Sequence, residues 1–165
     1  PDHHLIINSG LIEASKNESA LSGVIVHEIA HMELRHVMKK LVKELGISAV
    51  LSISTGGAGS EMIKEVVKLI SSSAYDRKLE TEADLKGVDY LINAGIDPFP
   101  FADFMETIAE KEKDNPSYFQ WISTHPESIE RAKNIRKHAK TEGKKYQAIL
   151  HPETWQILIQ TLKDQ

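Results

Sequence analysis

The helical stretch from Leu21 to Met32 is apolar over most of its length, yet it carries His27, Glu28 and His31. Polar groups on a helix built for burial need partners, so this run limits what the rest of the chain can do around it. Successive residues of an α-helix turn by about 100°, which places His27 and His31 within about 40° of each other, one turn apart. Two imidazoles at that spacing close on one tetrahedral Zn²⁺ without bending the backbone. Glu28 projects about 100° away from His27, poorly for ligation but well for taking a proton from a metal-held water. The bland explanation is a chance match on a polar helix face. The flanking Val24, Ile25, Val26, Ile29 and Ala30 argue against it.

Composition narrows the metal chemistry further. Cysteine is absent, so no disulfide framework, thiol nucleophile or thiolate ligand is available, and any zinc must be held by His and carboxylate. A net charge of −4 gives no reason to expect nucleic acid as a partner. The 165 residues, 41% hydrophobic and 27% charged, read as a single catalytic domain over 1–165, large enough to bury a core around a site. No apolar run approaches the ~18 residues that span a bilayer, and no signal peptide is visible. The chain begins at Pro1 without Met, which fits a processed form or an excised piece.

Along the chain, Leu5-Ile6-Ile7 is β-prone and closed by the turn signal Asn8-Ser9-Gly10. Ser15 to Glu18 matches a capping box with Ser15 as N-cap, and the motif helix is expected to run from there to Leu45-Gly46. A short apolar patch (Ile47 to Ile53) leads into the low-complexity loop Ser54 to Ser60. Helices follow at Glu61–Ser71 and Tyr75–Ala94, the latter ended by Gly95. Another is carried by Phe101, Phe104, Met105 and Ile108, and then Lys111 to Pro116 reads as a surface turn. Ile129, Ala132, Ile135 and Ala139 mark the next helix, and Trp155, Leu158, Ile159 and Leu162 the last. The fold class is α+β, predominantly α, with a small β element beside the motif helix.

A catalytic zinc normally takes three protein ligands, and the motif supplies two. A third His in the pattern HExxHxxGxxH is excluded, because Leu34 and Val37 stand at the Gly and His positions. His36 is nine residues from His27, roughly 180° round a continuous helix, and is read as a packing or solvent histidine facing away. A downstream carboxylate remains. Glu80 and Asp84 share one helix face, which continues through Ala83, Gly87 and Leu91, and its small residues point to close packing against another backbone. Glu82 is the rival, about 200° from Glu80 and off that face. Spacing alone leaves Glu80 open between ligand and solvated charge.

Four segments taken together resemble a known family: HEIAHMELRH (His27 to His36), YDRKLETEAD (Tyr75 to Asp84), AGIDP (Ala94 to Pro98) and STHPESIER (Ser123 to Arg131). The chain is similar to the zinc endopeptidases that include the CAAX prenyl protease and the heat-shock membrane protease. Its strongest likeness is to their soluble branch for outer-membrane protein quality control in the bacterial periplasm. The resemblance spans about Ile6 to Arg136. It implies a zincin-like fold of the gluzincin type, one Zn²⁺ per chain, and Glu80 as the third ligand through the family's ExxxD motif, which falls on Glu80 and Asp84. Its Gly-Leu before the motif helix matches Gly10-Leu11, and its His-Pro falls on His125-Pro126, with Arg131 following. It also implies placement in the bacterial periplasm or cell envelope. Membrane association is compatible with the family but not encoded in this chain.

His125 precedes a helix start and has three readings: an N-terminal polar cap, a donor to the oxyanion of a tetrahedral intermediate, or a fourth zinc ligand that closes the site. Arg131 is read as structural, pairing with a buried carboxylate such as Asp84, which in turn buttresses a ligand. With these parts the expected activity is endopeptidase cleavage of unfolded or misassembled polypeptide, Glu28 acting as the base. The Leu5–Ile7 segment would take substrate backbone as an added strand. The alternative is a binding protein of the same fold, a chaperone or regulatory subunit with a permanently closed zinc. Glu28 discriminates, because a protein retired from catalysis is free to lose its base, and here it is present.

Overall fold

The computed structural model describes residues 4–72, 77–112, 125, 128–140 and 144–164. Leu5-Ile6-Ile7 has the composition of a strand, but a strand needs a neighbour for its backbone hydrogen bonds, and no other strand exists among the described residues. The segment therefore has no regular structure, and the expected β element is not seen there. Helix α1 (Ser9–Ala14) follows directly.

The expected capping box is displaced by two residues. Ser15 is spent on the end of α1, where its Oγ donates to the Leu11 carbonyl at 2.9 Å. The next helix, α2 (Glu18–Glu33), starts instead at Asn17, whose side chain accepts the Ala20 N–H at 2.9 Å. Asn caps as well as Ser, so nothing is lost. The far end of α2 departs more from expectation. It stops at Glu33, and Arg35 adopts a left-handed conformation with φ 53° before α3 (His36–Leu45) begins. The sequence here has neither Gly nor Pro to mark a break, so periodicity alone reads one helix to Leu45. Gly46, at φ 82°, separates α3 from α4 (Ile47–Ser54), which turns the apolar patch into a helix.

Helix α5 (Ser60–Ser72) matches the expected span, and α6 (Arg77–Ala94) closes at Gly95 as foreseen. The Gly95 N–H donates to Ile92 O and the Ile96 N–H to Leu91 O, the 5→2 and 6→1 pair of a Schellman motif. The expected start of this helix at Tyr75 lies outside the described residues. So do most of the Lys111–Pro116 turn, the segment from Asn115 to Thr124, and Pro126. Helices α7 (Phe99–Glu112), α8 (Ser128–His138) and α9 (Pro152–Lys163) complete the order.

Helices α2, α6, α7 and α8 share the core, with Val24, Val88, Leu91, Phe101, Met105 and Ile135 at its centre. The face of α6 through Glu80, Ala83, Asp84, Gly87 and Leu91 is the buried one. It lies against α2 so closely that a Cβ on Gly87 would stand 3.4 Å from the His27 backbone nitrogen. This close approach carries the carboxylates of α6 to the histidines of α2. Gly23 is tighter still: an added Cβ would fall 2.3 Å from Phe101 Cβ, on a residue with no exposed surface. Gly23→Ala is therefore expected to destabilise by about 1–3 kcal/mol or more through overpacking. Gly10→Ala, with nothing within 4 Å, should be neutral or stabilising. Thermal melts of the two variants check this, and an unchanged melt for Gly23→Ala would contradict the packing.

Helix α9 rests on α1 with Trp155 buried, and the Gln147 N–H ties the preceding segment to the Gly95 carbonyl at 2.9 Å. Among the described residues no helix is long and apolar enough to cross a membrane.

Candidate metal centre

Three imidazoles and one carboxylate meet where α2, α6 and the residues before α8 come together. His27, His31, Glu80 and His125 are all buried, and their candidate ligand atoms lie within 4.8 Å of one another. His31 Nε2 stands 3.0 Å from His27 Nε2, and His27 Nε2 is 3.2 Å from His125 Nδ1. Glu80 supplies both oxygens: Oε1 is 3.2 Å from His31 Nε2, and Oε2 is 3.5 Å from His27 Nε2 and 3.0 Å from His125 Nδ1. Ligand atoms about 2.0–2.1 Å from a tetrahedral Zn²⁺ stand roughly 3.3 Å apart, which these separations bracket. Nitrogen lone pairs turned towards one another in a buried space call for a shared cation, and the donor set suits zinc.

The electrostatics agree. Burial opposes a charged His27, but the Asp84 and Glu80 carboxylates outweigh it and raise its pKa to about 9. For His31 burial wins, helped by the neighbouring His27 and His125, and its pKa falls to about 4. Burial also works against an ionised Glu80, yet His125, His27 and His31 hold it well below the usual carboxylate range. The pocket thus favours anionic carboxylate and draws positive charge to the spot the nitrogens face.

A surrounding layer fixes these groups. Asp84 Oδ1 lies 3.0 Å from His27 Nδ1, on the side of the ring away from the cluster. Arg131 donates to both Asp84 oxygens at 2.8 Å, from Nε and Nη2, in the forked geometry that suits guanidinium and carboxylate. Its Nη1 also reaches Glu80 Oε2 at 2.8 Å and the His125 carbonyl at 3.2 Å. One buried arginine therefore touches three residues in and around the cluster, Glu80, Asp84 and His125.

Glu28 stands outside the four-atom group. Its side chain is 27% exposed, and Oε1 is 3.3 Å from His125 Nε2. Glu28 and His125 together end a cleft of about 400 Å³ walled by Leu5, Ile7, Leu11 and Ile25. Glu82 lies off the cluster, bound to Lys39 Nζ at 2.9 Å on a partly exposed surface. His36 stays outside the ligand group as a packing histidine, but its direction differs from expectation. It is fully buried, and its Nδ1 lies 2.9 Å from His31 Nδ1 rather than facing away. A continuous helix would carry His36 to the far side, but the left-handed turn at Arg35 interrupts it.

The family model described as Peptidase family M48 matches residues 1–139. The chain belongs to peptidase family M48. The 139 matched residues hold every member of the cluster. Metalloprotease LoiP of Escherichia coli is 32% identical over 144 residues, covering 83% of this chain and 56% of that protein. The mitochondrial metalloendopeptidase OMA1 of Schizosaccharomyces pombe is 26% identical over 164 residues, covering 96% of this chain and 48% of that protein. The beta-barrel assembly-enhancing protease of E. coli is 26% identical over 149 residues, 82% of this chain and 30% of that protein. This M48 chain thus spans about half the length of the first two relatives and under a third of the other.

Proposed function

We propose that the chain is the catalytic part of a zinc endopeptidase in which His27, His31 and Glu80 hold the metal and Glu28 is the general base. The observation that carries this reading is the buried His27–His31–Glu80–His125 group with Glu28 beside it, at the end of an apolar cleft. A zinc ion held by that group would supply Lewis acidity, which typically lowers the pKa of a water to about 7 and polarises a carbonyl. Glu28 would take a proton from water and deliver it to the leaving amine, the task its position between cluster and cleft suits. Asp84 holds the His27 ring in place, and Arg131 holds Asp84 and Glu80, so these two act through the ligands they touch.

The substrate in this reading is an extended polypeptide laid along residues 4–8. That segment is unpaired by any strand among the described residues, and Ile6 is 82% exposed. Substrate backbone would supply the missing strand partner, while Leu5, Ile7, Leu11 and Ile25 take apolar side chains. Such a mode favours unfolded or misassembled proteins. The likeness to the bacterial beta-barrel assembly-enhancing protease supports a role in the bacterial periplasm or cell envelope, and the domain is read as single over 1–165.

A second reading is favoured by one observation: His125 sits inside the group of candidate ligand atoms, so that four protein groups rather than three would hold a zinc. A binding protein with a permanently closed zinc has this geometry too. Casein cleavage measured with and without a chelator, and after zinc is restored, separates the two. Zinc-dependent cleavage is expected, and a stoichiometrically zinc-loaded chain with no cleavage under any condition would favour the binding protein.

The ligand set has its own test. Glu80→Gln is expected to lose zinc on dialysis against a mild chelator, and Glu82→Gln to keep it. Asp84→Asn should fall between, since groups that orient a ligand typically cost ~10–100-fold in affinity when altered. Metal loss in Glu82→Gln instead of Glu80→Gln would overturn the assignment.

A further inference from the structure

The geometry points to His36 as a positioning residue for His31, holding that ring in the one tautomer able to ligate; the inference rests on His31 being a ligand. His31 turns Nε2 into the cluster, 3.0 Å from His27 Nε2 and 3.2 Å from Glu80 Oε1. A nitrogen that ligates must present a lone pair, so the neutral ring must keep its proton on Nδ1. That Nδ1 lies 2.9 Å from His36 Nδ1, with the two rings edge-on at 82° and their centroids 4.7 Å apart. Two facing ring nitrogens at that distance share one proton. With His31 as donor, His36 accepts through Nδ1 and carries its own proton on Nε2. That nitrogen lies within ion-pair reach of Glu82 Oε2, at 3.4 Å without a formed hydrogen bond, and Lys39 Nζ grips the same carboxylate oxygen at 2.9 Å. The chain His31–His36–Glu82–Lys39 is the counterpart, on the second histidine of the motif, of the Asp84–Arg131 pair on the first.

The backbone bears this out. Only the left-handed Arg35, at φ 53°, lets α3 turn back so that His36 covers His31. A non-glycine residue in that region is strained and persists where packed surroundings hold it. The hydrogen bond joins buried side chains, so water cannot substitute for it when it is removed.

His36→Phe keeps an aromatic edge against His31 but has no acceptor, whereas Asn places an amide oxygen near the position of Nδ1. Zinc affinity by competition with a chromophoric chelator is expected to fall ~10–100-fold in His36→Phe and to recover most of that in His36→Asn. The melting temperature of the metal-free Phe variant should stay close to that of the unaltered chain. Equal zinc affinity in the unaltered chain and His36→Phe would overturn the inference while leaving the ligand set intact. Failure of the unaltered chain to bind zinc would overturn both. Should His36→Phe not fold, ¹⁵N NMR of the metal-free unaltered chain decides. Protons on His31 Nδ1 and His36 Nε2 support the proposal, and the reverse pair of tautomers refutes it.

Discussion

Glu28→Gln is expected to keep one zinc per chain and to lose at least ~10² in hydrolysis of an unfolded substrate. Glutamine matches glutamate in shape, so the cleft keeps its form, but an amide cannot accept and return a proton at neutral pH. Zinc retention follows from geometry: Glu28 is not among the ligand atoms gathered by His27, His31, Glu80 and His125, and its Oε1 lies 3.3 Å from His125 Nε2 at their margin. The measurement pairs metal content with casein cleavage on the same preparation. Loss of metal along with activity would show Glu28 to be part of the ligand set. Full activity with metal retained would remove it from the mechanism.

His125→Ala separates two functions by sign. In the structure His125 Nδ1 is 3.2 Å from His27 Nε2 and 3.0 Å from Glu80 Oε2, inside the group that would hold the metal. A neutral imidazole there competes with water for the open position. If the site rests closed in this way, removing the ring leaves three ligands, retains zinc and frees the fourth position, so cleavage becomes faster. If His125 instead donates to the oxyanion, the variant is slower by ~10²–10³, the usual loss for one such donor. The observed placement leads us to expect the faster rate. On the latent reading, opening the site in the unaltered chain would require His125 to withdraw, the kind of gating motion that limits many enzymes. A rate below that of the unaltered chain would refute latency.

The local sequence determined a good deal. The i, i+4 spacing of His27 and His31 put two imidazoles on one face of α2, because a four-residue step returns almost to the same direction. The same rule grouped Glu80, Ala83, Asp84 and Gly87 on the buried face of α6. Gly95 was legible as the end of α6, since only a residue without Cβ takes its left-handed turn freely. The apolar periodicity of Phe101, Phe104, Met105 and Ile108 was legible for a similar reason, as every one of them is buried in α7. Spacing left Glu80 undecided between ligand and surface charge, and the family resemblance had to supply the role.

Tertiary structure decided the rest. Leu5–Ile7 has strand composition, but pairing is a property of two segments, and the fold supplies no partner for it among the described residues. The break at Arg35 carries no local signal. A left-handed arginine is disfavoured on its own and persists only because the packed surroundings hold it. That single turn moved His36 from the far side of a continuous helix to within 2.9 Å of His31. The depth of contact between α2 and α6, with Gly87 against the His27 backbone, likewise depends on two surfaces at once. Periodicity reports the face a helix hides; the partner it meets, and how near, is set by packing between elements far apart in the chain.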